Sequence, residues 1–152
     1  MSIDETINVW QEYLMSMAAW HTLIKDIEPK QTGCGPVYEL TNPINRPHES
    51  FAIADMRNIL FAEPHYHANG ETEIYFVLQG NGLIVIGGEE QTLQKGSVVA
   101  TLPNTAHFTI PHEELVLAVV NTPPFQAENY IVLSESNEQV KFDKNQFDKL
   151  IK

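Results

Sequence analysis

Residues 65–80 read HYHANGETEIYFVLQG and carry the most specific pattern in the chain. In a β-strand, side chains two residues apart point to the same face, so His65 and His67 project side by side. Glu73 opens the run Glu-Ile-Tyr-Phe-Val-Leu, which is typical of a strand. His107 follows further along the chain. Three imidazoles and a carboxylate in this order indicate a candidate metal site.

A second stretch, GSVVATLPNTAH at residues 96–107, ends on the last of these histidines. Together the two stretches resemble the two signature motifs of the cupin family, small β-barrel proteins of the jelly-roll class. The motif residues are His65, His67, Glu73 and Gly80 in the first stretch, and Gly96 and His107 in the second. The resemblance covers residues 51–120 and continues more weakly to about residue 133. It implies an all-β, cupin-type double-stranded β-helix (jelly-roll) barrel whose three histidines and glutamate bind one metal ion.

The sequence departs from the family pattern at several positions. Ile59 stands where a glycine is expected before the first histidine, and the loop between the histidine pair and Glu73 is one residue longer than usual. Glu71 therefore remains an alternative carboxylate ligand, although Glu73 has the right spacing to Gly80 and lies in the predicted strand. Asn104 replaces a glycine of the second motif, and since asparagine tolerates a left-handed backbone, we expect the turn before the last histidine to survive.

The donor types narrow the choice of metal. Neutral imidazole and carboxylate suit first-row divalent ions, so Fe, Mn, Ni, Co, Cu and Zn are all compatible. Four protein ligands on an ion that accepts six leave about two positions for water, substrate or dioxygen. The single cysteine, Cys34, excludes a closed structural cysteine site and an internal disulfide framework, and it fits a reducing compartment.

Length and charge limit the classes of function. A chain of 152 residues suffices for one domain with a real core. The balance of 9 Lys+Arg against 20 Asp+Glu gives a net charge of −11, which repels nucleic acid and anionic membrane surfaces. We see no secretory signal and no apolar run long enough to cross a bilayer. The expectation is a cytoplasmic protein with no nucleic-acid or membrane partner.

Periodicity divides the chain into three parts. Residues 1–27 are expected to form an amphipathic α-helix, with a capping box at Ser2 and Glu5 and an apolar stripe from Ile7 to Ile24. Residues 28–136 are expected to form the barrel, from about ten short strands that include 57–63, 73–78, 83–86, 106–110 and 115–121. Gly80 is expected to close the strand 73–78, and Gly87-Gly88 suits a two-residue hairpin turn. Residues 137–152 form a tail with a short helix capped by Asp143. The apolar helix would cover the barrel or pair with its copy in a homodimer.

Because alternate side chains of a strand share a face, the sequence also suggests two residues of a substrate pocket. If residues 57–63 are a regular strand, Arg57 shares the inward face of His65 and can hold an anionic group, although a salt bridge with Glu63 or Asp55 is the simpler interpretation. Tyr75 shares the face of Glu73 and is the candidate for proton transfer, unless it only fills the barrel.

An open metal site in a barrel favours a small metal-dependent enzyme. We expect an oxygenase, isomerase, epimerase or lyase that acts on a small polar or anionic metabolite. The alternatives are a non-catalytic cupin that binds or senses a small molecule, and a structural or storage protein. The absence of a second acid-base motif in the sequence keeps the binding or sensor alternative open.

Overall fold

The structure is a computed structural model, and it describes residues 22–41, 46 and 48–152. Within these residues the chain forms nine β-strands and one α-helix. The strands are β1 (Lys30–Thr32), β2 (Gly35–Glu39), β3 (Ser50–Asp55), β4 (His65–His67), β5 (Thr72–Ile86), β6 (Glu89–Gln94), β7 (Val98–Thr101), β8 (His107–Thr122) and β9 (Tyr130–Val132); the helix α1 is Lys144–Leu150. Two 3-10 turns lie at Ile24–Asp26 and Ala127–Asn129. The helix is too short to cross a bilayer, and no other described helix is long and apolar enough to do so.

All nine strands belong to one antiparallel sheet. The strand order is β1-β2-β3-β8-β4-β9, and β5 pairs with β6, β7 and β8. The two longest strands, β5 and β8, pair with each other along nearly their whole length. The predicted all-β class is therefore confirmed.

The pairing between β5 and β8 is interrupted in the middle. Its register shifts three times between Val77 and Gly82. Gly80 lies at this bulge with φ +75°, and an added Cβ would stand 2.1 Å from the carbonyl oxygen of Glu113. Only glycine fits so close to a neighbouring backbone. The bulge bends both strands, so the sheet curls around an interior.

This bulge corrects the predicted strand boundaries. Gly80 was expected to close a strand, but the segments 73–78 and 83–86 are parts of the single strand β5. The segments 106–110 and 115–121 likewise belong mostly to the single strand β8. Turn-forming residues marked the bend correctly, but the sequence does not distinguish a bulge from a chain reversal. Gly87 and Gly88 form a true turn between β5 and β6, as predicted.

The strand expected around residues 57–63 does not form. Arg57 and Asn58 lie in a turn, and residues 59–64 have no strand pairing. The Asp55 carboxylate accepts a hydrogen bond from the Arg57 backbone N–H at 3.2 Å, which favours a turn directly after β3. Pro64, which has no N–H to donate, then precedes β4.

Most of the predicted N-terminal helix lies outside the described residues. Only its last part, residues 22–27, is described, and that part contains the single 3-10 turn Ile24–Asp26 rather than an α-helix. The helix and the homodimer that it would support therefore stay predictions, as do the domain boundaries.

The C-terminal helix forms as predicted and closes one end of the fold. Asp143 caps it by accepting a hydrogen bond from the backbone N–H of Asn145 at 2.8 Å. Phe147 packs edge-on against Phe61 and Phe108, with ring centroids 5.1 and 5.0 Å apart. Phe142, just before the helix, is 5% exposed and belongs to the same cluster. This aromatic cluster holds the tail to the sheet.

Replacing Phe142 with alanine should lower the free energy of unfolding by about 3 kcal/mol, the lower end of the usual cost of deleting a buried phenylalanine. Urea denaturation followed by circular dichroism measures this value. The control is Leu60→Ala, because Leu60 is 84% exposed and its loss should cost less than about 0.5 kcal/mol. Equal stability of the two variants would show that the cluster does not anchor the tail.

Candidate metal centre

The candidate ligands come from three strands that meet inside the curled sheet. His65 and His67 belong to β4, Glu73 lies near the start of β5, and His107 begins β8, where it pairs with His65. All four side chains are buried. One nitrogen or carboxylate oxygen of each lies within 4.8 Å of those of the others. The structure therefore brings together the four residues that the sequence motifs pointed to.

Backbone carbonyls orient two of the imidazoles. Nδ1 of His65 lies 2.8 Å from the carbonyl oxygen of Glu63, and Nδ1 of His107 lies 3.0 Å from that of Thr105. A carbonyl can only accept, so in both rings Nδ1 carries the proton and donates. Nε2 of each ring is left for the centre of the cluster. Such outer contacts are what fixes the tautomer and orientation of metal-binding histidines.

A buried carboxylate faces the outer nitrogen of the third imidazole. Nδ1 of His67 lies 2.9 Å from Oε1 of Glu71, an ion-pair distance, although the contact is not aligned as a hydrogen bond. The same oxygen accepts a hydrogen bond from Asn121 Nδ2 at 2.8 Å. Glu71 is fully buried, and its other carboxylate oxygen has no hydrogen-bond partner in the described structure.

Glu73 occupies the inner side of the cluster. Its Oε2 lies 3.1 Å from Nε2 of His67 and 3.1 Å from Nε2 of His107, and it also accepts a hydrogen bond from the hydroxyl of Tyr75. The ring of His67 thus has Glu73 at Nε2 and Glu71 at Nδ1. Of the two carboxylates left open by the sequence, the structure places Glu73 in the cluster and Glu71 behind an imidazole.

The charges of these groups are strongly coupled. Burial alone would raise the pKa of Glu73, but the imidazoles of His107 and His67 hold it well below its usual value. Burial would lower the pKa of His67, but contacts with Glu71 and Glu73 raise it to about 9. Burial and the neighbouring His107 hold the pKa of His65 well below its usual value, which keeps that imidazole neutral. The site therefore keeps Glu73 ionised and His65 neutral, the forms that bind metals, while the two carboxylates favour a positive charge at His67 between them.

The donor set fits a divalent transition-metal ion. It offers imidazole nitrogens and a carboxylate oxygen without thiolate, and two carboxylates are buried within contact of one imidazole. No ion pair among the described residues brings a lysine or arginine to Glu71 or Glu73. Buried negative charge without a nearby lysine or arginine is the situation that a bound cation relieves.

Tyr75 lies beside this cluster, as strand parity predicted. It is 7% exposed, and its hydroxyl donates to Glu73. Burial raises the pKa of the phenol well above its usual value, so the hydroxyl keeps its proton at neutral pH. The structure thus places a protonated hydroxyl next to the candidate ligands.

Arg57, the other pocket residue suggested by the sequence, is not brought to the site. Its guanidinium is exposed and makes two hydrogen bonds to the carboxylate of Asp55, at 2.8 and 2.6 Å. The inward direction depended on a strand over residues 57–63, which does not form. The salt bridge with Asp55, the simpler interpretation of the sequence, is the arrangement observed, and the anchoring role has no geometric support.

Sequence reasoning missed the contribution of Tyr130. Its ring stacks on that of His65 with centroids 4.2 Å apart, and its hydroxyl donates to Glu63 at 3.2 Å. The hydroxyl also lies 3.7 Å from the Cys34 thiol, whose pKa is raised to about 12 by burial. Tyr130 reaches the site because β9 pairs with β4, a contact between distant segments that no local pattern signals.

The cluster opens into a cavity of about 750 Å³. Its walls are mainly apolar side chains of β2, β3 and β8, and its lining includes His65, His67, Glu73 and Tyr75. A volume in the range of small-molecule sites, with a few convergent polar groups, is the usual form of a ligand-binding pocket.

A comparison with protein families shows which family this chain belongs to. Residues 46–150 match the profile of the AraC-like ligand-binding domain. The chain belongs to this family. The domain has a cupin-type fold, so the family match agrees with the resemblance seen in the sequence motifs. No curated protein matches the sequence significantly.

Solved structures show the same fold at low sequence identity. A protein from Planctomyces limnophilus is 21% identical, with TM-score 0.67 over 76% of this chain and 97% of that chain. Pac13 of Streptomyces, described as a nucleoside dehydratase, is 12% identical, with TM-score 0.67 over 80% and 96%. Ectoine synthase from P. lautus is 16% identical, with TM-score 0.62 over 78% and 93%. These likenesses establish the fold.

Proposed function

We propose that this protein is a metal-dependent cupin enzyme that acts on a small molecule bound in its cavity. The observation that carries the proposal is the convergence of three imidazoles and Glu73 on the wall of a cavity of about 750 Å³. A storage or purely structural barrel needs neither the four buried polar side chains nor the space beside them. Among the structural neighbours, the descriptions as a dehydratase and a synthase add support by analogy.

His65, His67, Glu73 and His107 would hold one divalent ion of Fe, Mn, Co, Ni, Cu or Zn. Such an ion, when bound, supplies Lewis-acid or redox chemistry at its open coordination positions. The carbonyls of Glu63 and Thr105 keep two imidazoles turned inward, and the apolar cavity walls exclude water from the ligand.

Tyr75 is the proposed proton donor. Its hydroxyl keeps its proton in the buried site and donates a hydrogen bond to the Glu73 carboxylate, at the boundary between the ligand cluster and the cavity. A hydroxyl at this position can pass a proton to a substrate oxygen within hydrogen-bond reach. Glu73, hydrogen-bonded to it, would orient the hydroxyl.

One alternative is supported by a specific observation. The matching family is described as a ligand-binding domain, and a barrel of this kind is equally suited to capture a metabolite without converting it. The two functions share the cavity and differ in turnover. The proposal includes an oxygenase, isomerase, epimerase or lyase reaction, a cytoplasmic location and a homodimer.

Protein purified without chelator should contain about one equivalent of a first-row metal by elemental analysis. A screen of small molecules, with and without oxygen, should then find a substrate that is consumed. In that reaction Tyr75→Phe should lose most of the turnover while its metal content and melting temperature stay near those of the wild type. Ligands that bind without being consumed would favour the sensor, and metal-free protein that refuses added metal would refute the proposal.

A further inference from the structure

Almost all lysine and arginine side chains of this protein lie outside the cavity. All nine lysine and arginine residues of the sequence lie in the described part of the chain. Of these, Lys30 lines the cavity and the other eight do not. The Lys30 ammonium lies 2.7 Å from the carboxylate of Glu39, another lining residue, so its charge is already balanced.

Away from the histidines of the ligand cluster, the remaining charge in the lining is negative. Glu73 and Glu128 also line the cavity, and neither is paired with a lysine or arginine in the described structure. A ligand with a carboxylate or phosphate away from the metal ligands would therefore meet no free cationic partner. Burying such a charge without a partner is strongly unfavourable.

The walls between the rim and the ligand cluster are mostly apolar, although Thr109 and Asn121 also line the cavity. In the sheet, Val37 lies beside Ala54, which lies beside Leu117. In the next row of inward-facing residues, Ala52 lies beside Val119, which lies beside Tyr75. The two alanines leave room above β3 where larger side chains would fill the cavity.

We propose that the ligand of this site is an uncharged molecule, with an apolar body against the wall of β2, β3 and β8 and an oxygen-bearing end at the metal ligands. This inference rests on the proposed metal-dependent function, because that function places the oxygen-bearing end of the ligand at the metal. It narrows the small polar or anionic metabolite expected from the sequence to an uncharged one, because the anionic option depended on Arg57. Contact with this wall stabilises the bound ligand, because it removes the apolar surface of the ligand from water.

Three hydroxamic acids test the inference, because they share one metal-binding group and differ only in the rest of the molecule. Acetohydroxamic acid has the group alone, benzohydroxamic acid adds an uncharged ring, and 4-carboxybenzohydroxamic acid adds a distal negative charge. Titration calorimetry with Co²⁺-loaded protein in about 0.15 M salt measures each affinity. Benzohydroxamic acid should bind at least about 10-fold more tightly than either of the others.

Two variants locate the effect in the cavity. Ala52→Phe should fill the space above β3, so benzohydroxamic acid should lose its advantage while acetohydroxamic acid and the metal still bind. Glu39→Gln removes the partner of Lys30, so the difference between the carboxylated and the uncharged ring should narrow. The affinities of both variants are compared at equal metal content. Normal metal content also shows that the variant is correctly folded.

The outcomes separate the inference from the proposed function. If the carboxylated ring binds wild-type protein as tightly as the uncharged ring, the inference is wrong and the metal centre stands. If acetohydroxamic acid binds but the uncharged ring does not, the cavity does not accept an apolar body and the inference is also wrong. If the protein holds no metal, the proposed function fails, and the inference fails with it.

Discussion

Replacing His67 with alanine is expected to abolish stoichiometric metal binding. The imidazole of His67 lies between Glu71 and Glu73, so its loss removes one ligand and separates the cluster from the carboxylate behind it. Changing only an outer partner of a metal ligand typically costs about 10- to 100-fold in affinity. Loss of the ligand itself should cost more. Elemental analysis after dialysis measures the retained metal.

The same variant should lose the stabilisation that metal gives to the folded protein. A ligand present at 100 times its dissociation constant adds about 2.7 kcal/mol to the free energy of unfolding. Added metal should therefore raise the melting temperature of the wild type but not that of His67→Ala. The control is His112→Ala, since His112 is exposed on β8 and should behave like the wild type. Retention of one equivalent of metal by His67→Ala would refute the ligand assignment.

Glu73→Gln and Glu71→Gln are expected to have different effects, although both replace a buried carboxylate with a neutral amide. Glu73 contributes an oxygen to the ligand cluster, so its replacement should remove most of the bound metal. Glu71 contacts the outer nitrogen of His67, so its replacement should keep one metal site but weaken it about 10- to 100-fold. Competition with a chelator of known affinity measures both constants.

Cobalt spectra distinguish a ligand from an outer partner in the same pair of variants. Glu71→Gln loaded with Co²⁺ should keep the visible bands of the wild type, because the ligand set is unchanged. Any Co²⁺ that Glu73→Gln retains should give a different spectrum. The reverse pattern would mean that Glu71 is the carboxylate ligand, the alternative that the sequence left open.

The fold was predictable because its signals are local. The density of short strands and the turn glycines between β5 and β6 indicated an all-β protein, and the motif resemblance indicated the barrel type. Asn104 has φ 55° in the turn before His107, as expected for an asparagine at a glycine position. The boundaries were less predictable, because Gly80 serves equally for a strand end and for a bulge within a strand.

The site was predictable in its inner ligands but not in its surroundings. His65 and His67 are two residues apart in one strand, so parity alone puts them on one face. The predicted inward direction of the Arg57 side chain was wrong, because side chains alternate between faces only in a strand and Arg57 lies in a turn. Tyr130 was missed because it enters through the pairing of β9 with β4.

The sequence by itself determined the pattern of short strands, the types of donor and the excess of negative charge, since each is a property of neighbouring residues or of composition. Only the tertiary structure decided which carboxylate joins the imidazoles and that the lysine and arginine side chains lie mostly outside the cavity. Glu71 and Glu73 are two residues apart, yet one lies behind His67 and the other in front of it. That difference arises from the packing of β4, β5 and β8, because long-range strand pairing, unlike periodicity, is not encoded in any single segment.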